Sequence, residues 1–293
     1  VVSASSTTKI HTTIEEITMT MLENKTAVVY GAGGAIGGAV ARGLAEAGAR
    51  VYLAGRSQGR LEKVASDIGD AGGLAQVDAL DERAVADHAD AVVADAGGID
   101  IALNAVAFPF VHGVPFLEVA VDDVMHPIDA FLRTNLITAQ AVARHMTARG
   151  SGTILTLSTA ASRFVIPGTL GYGTTGTMIE VVSERLAVEL GPAGIRVVCL
   201  RPHAIADGPS HGSFAAAVFE SRATAAGLTV EQWLDQFAQD VTVAGRLPTV
   251  AEIADAAVYL ASDRATAITG TVIDLSYGNA VRTNAGFLAR SLS

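Results

Sequence analysis

The residues Val28-Val29-Tyr30-Gly31-Ala32-Gly33-Gly34-Ala35-Ile36-Gly37-Gly38 set the architecture of this chain. A short apolar run, 27–30, reads as a buried strand. It stops at a cluster of glycines, and residues 39–47 beyond it read as a helix. Glycines at such a junction let the backbone turn tightly and bring its N–H groups close to an anion. The first turn of the helix adds partial positive charge. A strand, a glycine turn and a helix near the start of a domain are the context in which such a cluster cradles the pyrophosphate of a dinucleotide.

The same alternation continues outward. Strands are predicted at 51–54, 74–77, 99–104, 153–157, 195–200 and 270–275, and helices at 61–68, 84–96, 129–149 and 172–190. In the last of these, Ile179, Val182, Leu186 and Leu190 recur at helical spacing. Short buried strands alternating with helices imply one α/β domain, a doubly wound parallel sheet of about seven strands with helices on both faces. Residues 204–248 interrupt the alternation and carry Trp233 and several Phe, which predicts a helical insertion covering the substrate. Residues 1–20 are rich in Ser and Thr without a strand or helix period. They read as an N-terminal extension to a domain spanning 21–293, and without a basic start and apolar core they do not read as a secretory signal.

Composition narrows the function. With 20 basic and 30 acidic residues, the net charge is −10 and no basic stripe is present, so neither nucleic acid nor an anionic membrane is an expected partner. No apolar run reaches the roughly 18 residues a membrane span needs. The single cysteine, Cys199, lies in an apolar strand, which excludes a disulfide framework and fits a cytoplasmic protein. No metal site is expected. At the end of the second predicted strand, Ala54-Gly55-Arg56-Ser57 offers no carboxylate for a ribose 2′-hydroxyl. It offers Arg56, suited to a 2′-phosphate, so NADP(H) is preferred over NAD(H).

On these and the following residues the chain resembles the short-chain dehydrogenase/reductase family, with its Rossmann-type sheet, from residue 22 to about 280. The glycine turn is similar to TGxxxGxG, keeping Gly31 and Gly37, with Gly33, Ala35 and Ile36 between them. Asp78 lies where the family has an adenine-contacting Asp. Asn104-Ala105-Val106-Ala107 is similar to NNAG, and Asn135 to the helix Asn that holds a proton-relay water. Tyr172 stands where the catalytic Tyr is expected. For the catalytic Ser the spacing favours Thr159, with Ser158 and Ser162 as alternatives. Pro202 matches the Pro beside the nicotinamide, followed here by His203 in place of Gly. Asp207 stands near the position of a Thr.

The resemblance implies hydride transfer with the Tyr hydroxyl as proton donor, a Ser or Thr hydroxyl orienting the substrate oxygen, and a Lys four residues after the Tyr lowering its pKa. That Lys is Gly176 here, and the chain's lysines are Lys9, Lys25 and Lys63. Arg163 and Arg201 are the nearest cations in the family's topology. A glycine at 176 opens space for water, substrate or a neighbouring side chain. Without the Lys, Tyr172 should stay protonated near neutrality, an acid toward a carbonyl and a poor base for alcohol oxidation. His203 is a further titratable group near the expected reaction centre.

The expectation is therefore an NADP(H)-dependent reductase acting on a carbonyl, or on an activated C=C or C=N bond. A non-redox lyase or isomerase on the same fold, or a silent cofactor-binding protein, are the alternatives. Phe108, Phe110, His112, Phe116, Phe214, Phe219 and Trp233 point to an apolar small-molecule substrate. The resemblance also implies a homotetramer or homodimer, paired through the helices 129–149 and 172–190. Ala139, Ala141, Ala143 and Ala187 would allow their close approach.

Overall fold

The computed structural model describes residues 21–69 and 72–281. The extension 1–20 and the end of the predicted domain lie outside the described residues. Seven strands form one sheet, every neighbouring pair parallel: β1 (Thr26–Tyr30), β2 (Arg50–Gly55), β3 (Leu74–Gln76), β4 (Ile101–Asn104), β5 (Gly152–Leu157), β6 (Ile195–Pro202) and β7 (Thr271–Leu275). Their spatial order is β3-β2-β1-β4-β5-β6-β7. The order reverses between β1 and β4, and in such sheets ligands bind in the crevice beyond the carboxyl ends of the strands at that switch point.

Two apolar clusters cover the two faces. On one, helices α1 (Ala35–Glu46) and α2 (Gln58–Ile68) pack with α8 (Val250–Ala261) through Val40, Leu44, Leu61, Ile253 and Val258. On the other, α3 (Glu82–Ala96), α4 (Val121–Arg149) and α5 (Leu170–Leu190) contribute Val85, Val92, Val142, Met146 and Ala187. Central strands buried on both faces must read as continuous apolar runs, as Thr26–Tyr30, buried throughout, does. Cys199 is fully buried, and burial pushes its thiol up to about 11.

The structure departs from the sequence reading, or adds detail to it, in four places. First, α4 begins at Val121 rather than 129 and runs through Pro127. Proline removes one helical hydrogen bond. Here its ring is buried against α5, at Gly171, where a Cβ would lie 3.3 Å from the Pro127 Cγ. Second, α8 was not anticipated. Thr249 and Glu252 form a reciprocal cap at its start, a signal present in the sequence.

Third, the insertion 204–248 consists of a short 3-10 turn (Gly208–His211) and two helices, α6 (Ala216–Ala226) and α7 (Val230–Val241). Fourth, the four alanines proposed for a subunit contact are already buried within the chain. The outer faces of α4 and α5 expose Leu136, Val181 and Val188 instead. Among the described residues no helix is long and apolar enough to cross a membrane.

Candidate active site

A cavity of about 450 Å³ opens over the carboxyl ends of the strands, a size typical of small-molecule sites. One end is the glycine turn. Gly31 has φ +81°, and a Cβ there would fall 2.5 Å from the Ala105 carbonyl carbon and oxygen. A Cβ at Gly37 would fall only 2.3 Å from the Gly31 carbonyl oxygen. Any side chain at either position would fill the cradle. Gly34 caps α1 without a side chain and the first turn carries no acid, so the helix presents bare N–H groups beside Gly33, Ala35 and Ile36 on the cavity wall. Gly37 lies behind that wall, supporting it.

Arg56, Ser57, Arg60 and Asp78 line the same end. Neither guanidinium has a carboxylate within 4 Å among the described residues; Arg56 lies over the Phe108 ring, 5.7 Å from its centre. Arg60 was not singled out from the sequence. It lies four residues beyond Arg56, on α2, whose helical spacing could have drawn attention to it.

The other end is built around Tyr172, on the first turn of α5. Its ring stacks on Phe110, with centroids 4.0 Å apart and planes 7° off parallel. Burial raises the Tyr172 pKa, and a hydrogen bond from Thr159 partly opposes the rise. The hydroxyl is therefore protonated at neutral pH. Ser158 is not the hydroxyl on Tyr172. Its Oγ donates toward Glu180 Oε1 at 2.8 Å and toward the Gly176 carbonyl at 3.1 Å. Ser162 Oγ also bonds Glu180 Oε1, at 2.5 Å.

The space at Gly176 is filled by a neighbour. A Cβ at 176 would lie 2.6 Å from Thr159 Cγ2, 3.3 Å from Ser158 Oγ and 3.3 Å from Ser162 Cβ. The methyl that distinguishes threonine from serine thus occupies the room a side chain at 176 would need.

Both candidate arginines converge on one residue that sequence reasoning missed, Glu180. It lies one helical turn beyond Gly176, on the same face. Arg201 Nη1 is 3.2 Å from Oε1 and Arg163 Nη2 is 3.5 Å from Oε2, and the carboxylate side chain is only 3% exposed. Arg201 also reaches Asp274, at 3.3 Å. Neither arginine is a free cation beside the tyrosine. A buried carboxylate that ties three loops and strands together is the group actually paired with them. Its sequence signal was an acid next to Ile179 on an otherwise apolar stripe.

His203, 8% exposed, lines the cavity beside Phe164 and Phe237. Its Nδ1 accepts the Ala204 N–H at 2.7 Å, which leaves the proton on Nε2. Nε2 is buried without a hydrogen-bond partner, and burial pushes the ring's pKa down to about 4. The side chain is thus a neutral donor at physiological pH, not the general acid or base expected from sequence. Pro202 lines the wall next to it. Asp207 turns away and caps α8, accepting the Val250 N–H at 3.0 Å.

Besides Gly37, the predicted residues Asn104, Asn135, Phe108 and Phe116 stand outside the lining. Asn104 bonds Thr138 Oγ1 and the Val106 N–H, fixing the end of β4, so its amide does not reach a ligand directly. Asn135 donates to the Phe131 carbonyl at 2.8 Å, and its buried Oδ1 has no hydrogen-bond partner. Phe108 is buried in a separate cluster with Phe131, and Phe116 is 74% exposed. Phe110, His112, Phe214, Phe219 and Trp233 do line the cavity, joined by Phe164 and Phe237.

Comparison with known proteins agrees with this geometry. The family model described as "Enoyl-(Acyl carrier protein) reductase" matches residues 31–279. A gluconate 5-dehydrogenase of Gluconobacter oxydans (strain 621H) is 31% identical over 261 residues, 88% of this chain and 95% of the relative. Among solved structures, a gluconate 5-dehydrogenase from Burkholderia cenocepacia J2315 in complex with NADP and tartrate superposes with a TM-score of 0.78 at 26% identity. The match covers 91% of this chain and 99% of that one. An NAD⁺-bound xylitol dehydrogenase gives 0.78 at 25%, covering 88% and 99%. With its seven-stranded parallel sheet, its glycine cradle at the switch point and Tyr172 on the facing wall, the chain belongs to the short-chain dehydrogenase/reductase family of oxidoreductases.

Proposed function

We propose that this chain is an NADP(H)-dependent reductase of a carbonyl, or of an activated C=C or C=N bond, in an apolar small molecule, with Tyr172 as proton donor. The observation that carries the reading is Tyr172, stacked on Phe110 and sharing with Thr159 the wall of a cavity continuous with the glycine turn. The bare turn, with its backbone N–H groups and no room for a Cβ, fits a pyrophosphate. Gly31, Gly33, Ala35, Ile36 and Gly37 would form the cradle, with Asp78 toward the adenine and Pro202 toward the nicotinamide. Asn104 and Asn135 would act from behind the wall, holding β4 and α4 in place. Arg56, Ser57 and Arg60 support NADP(H) over NAD(H), because guanidinium groups without carboxylate partners suit a 2′-phosphate.

The bound nicotinamide supplies hydride. Thr159, on the same wall, would orient the substrate oxygen through its hydroxyl while Tyr172 gives that oxygen its proton. Burial keeps that proton in place at neutral pH, which favours reduction and disfavours the reverse oxidation. The His203 Nε2–H offers a second, neutral donor on the same wall. Phenylalanines and Trp233 exclude water and favour an apolar substrate. The exposed apolar residues on α4 and α5 support a homodimer or homotetramer, and the single buried thiol fits the cytoplasm.

The test is a fluorescence titration with NADPH and NADP, with NADH as control, followed by a carbonyl panel. NADPH should bind about tenfold or more tightly than NADH, and Arg56→Ala should remove most of that preference. Oxidation of NADPH with any carbonyl supports the reading. Absence of binding to both cofactors defeats it, and binding without turnover across the panel makes the chain a silent cofactor-binding protein.

A further inference from the structure

We propose that Arg222 and His112 form an anion-recognition point at the substrate end of the cavity, and that the substrate carries a carboxylate separated from its reacting carbon by an apolar body. The proposal rests on the reductase reading and deepens it.

Arg222 lies on α6, in the insertion, and lines the cavity. Of the charged residues in that lining, Arg56, Arg60 and Asp78 belong to the glycine-turn end, so Arg222 carries the only formal charge at the substrate end among the described residues. Its Nη2 is 3.1 Å from His112 Nδ1. His112 is no counter-ion. Burial and Arg222 itself both lower its pKa, so it stays neutral and accepts through Nδ1. Among the described residues no carboxylate lies within 4 Å of the guanidinium, although the chain carries 30 acidic residues and Arg42, Arg50 and Arg149 all find one.

Arg222 is half-buried, and Val218 and Phe219 of the same helix line the cavity with it. A guanidinium also presents five N–H donors in a planar fork, and His112 engages one of them. The remaining donors match a carboxylate. The other guanidiniums on the cavity wall that lack a carboxylate, Arg56 and Arg60, sit where an anionic phosphate is expected, a precedent within this cavity for an unpaired guanidinium facing an anion.

Position adds the spacing. The His112 ring lies 6.0 Å from Phe110, which itself stacks on Tyr172. Phe110 thus contacts both the Tyr172 ring and the ring that Arg222 engages. The carboxylate is therefore placed across an aryl or short alkyl body, the size of the Phe110 ring, from the reacting carbon.

The experiment compares 4-acetylbenzoate with its methyl ester as substrates of the full-length protein with NADPH. The wild type should favour the acid over the ester by about tenfold or more in kcat/KM, chiefly through KM. Arg222→Leu should collapse that ratio toward one, and Arg222→Lys should retain part of it. NADPH binding by each variant reports whether the fold is intact. An acid-to-ester ratio near one in the wild type, or a ratio unchanged in Arg222→Leu, overturns the proposal and leaves Arg222 a strap between α6 and the loop carrying His112.

Should neither ketone be turned over, quenching of Trp233, the chain's single tryptophan, by 4-phenylbutyrate against 4-phenylbutyramide decides the same point without chemistry. Acid-selective quenching that Arg222→Leu abolishes sustains the anion site. Equal quenching overturns it. The reductase reading stands or falls separately, on NADPH binding and oxidation.

Discussion

The two ends of the cavity are built on opposite logics. At the glycine end, function resides in backbone: Gly31 and Gly37 have no room for a side chain, and the free N–H groups of α1 line the wall. At the tyrosine end, the wall is built from side chains. The Thr159 methyl occupies the room a side chain at Gly176 would need, and Glu180 gathers Ser158, Ser162, Arg163 and Arg201 one turn further on. A backbone cradle tolerates little change, whereas a side-chain constellation can be rebuilt if its members change together.

The sharpest way to separate the two ends is Tyr172→Phe. Single-turnover oxidation of NADPH should slow by about 10²–10⁴-fold while NADPH affinity stays unchanged. Equal loss of both would show that the ends are not independent. Next in size, Glu180→Ala leaves Arg201 with Asp274 alone and removes the acceptor of Ser158 and Ser162, and should cost about 1–3 kcal/mol in denaturant unfolding. A loss below about 1 kcal/mol would mean that the network is peripheral.

Gly176→Lys tests that packing directly. Alone it drives a side chain into Thr159 Cγ2 and should destabilise by about 1–3 kcal/mol. Combined with Thr159→Ser it should recover most of that loss, and the added ammonium should bring alcohol oxidation to lower pH. Additive effects of the two substitutions would break the coupling.

The smallest effect is the pH response. Reduction requires protonated Tyr172, whose pKa burial raises, so the rate should stay level from about pH 6 to 9 and fall only beyond. Oxidation requires the phenolate and should climb with pH over the same range. His203, pushed down to about 4, should add no inflection near 6.5. A step there in the kcat profile would make His203 a titrating participant after all.

The contrast also explains what could be read in advance. Seven strands, their order of appearance and the phosphate turn follow from apolar runs and glycines, which are local signals. The expectation of Tyr172 as the site tyrosine, and of a lysine where Gly176 stands, comes from the family resemblance rather than from a local signal. Glu180 could not be assigned, because an acid within an apolar stripe acquires meaning only when β6 brings Arg201 opposite it. His203 was singled out as a titratable group, but its tautomer and lowered pKa depend on the Ala204 N–H and on its burial beside Phe164 and Phe237, which sequence does not show. Helix α8 was missed despite its Thr249 and Glu252 cap, and α4 was begun too late, because packing against Gly171 lets Pro127 sit inside it.

The packing of α8 on α1 has a consequence for how the molecule comes into being. A Cβ at Gly43 would lie 3.3 Å from Val258, so the helix that opens the nucleotide-binding unit is seated against one from near the opposite end of the chain. During synthesis, the apolar face of α1 stays uncovered until α8 has left the ribosome. Pairings so distant in sequence slow folding and leave sticky surface exposed meanwhile. The amino-terminal half, for all the independence its motif suggests, cannot be cut out as a small nucleotide-binding module. A fragment ending at β6 would leave uncovered the Gly43 face of α1, which Ala254 and Val258 cover in the whole domain.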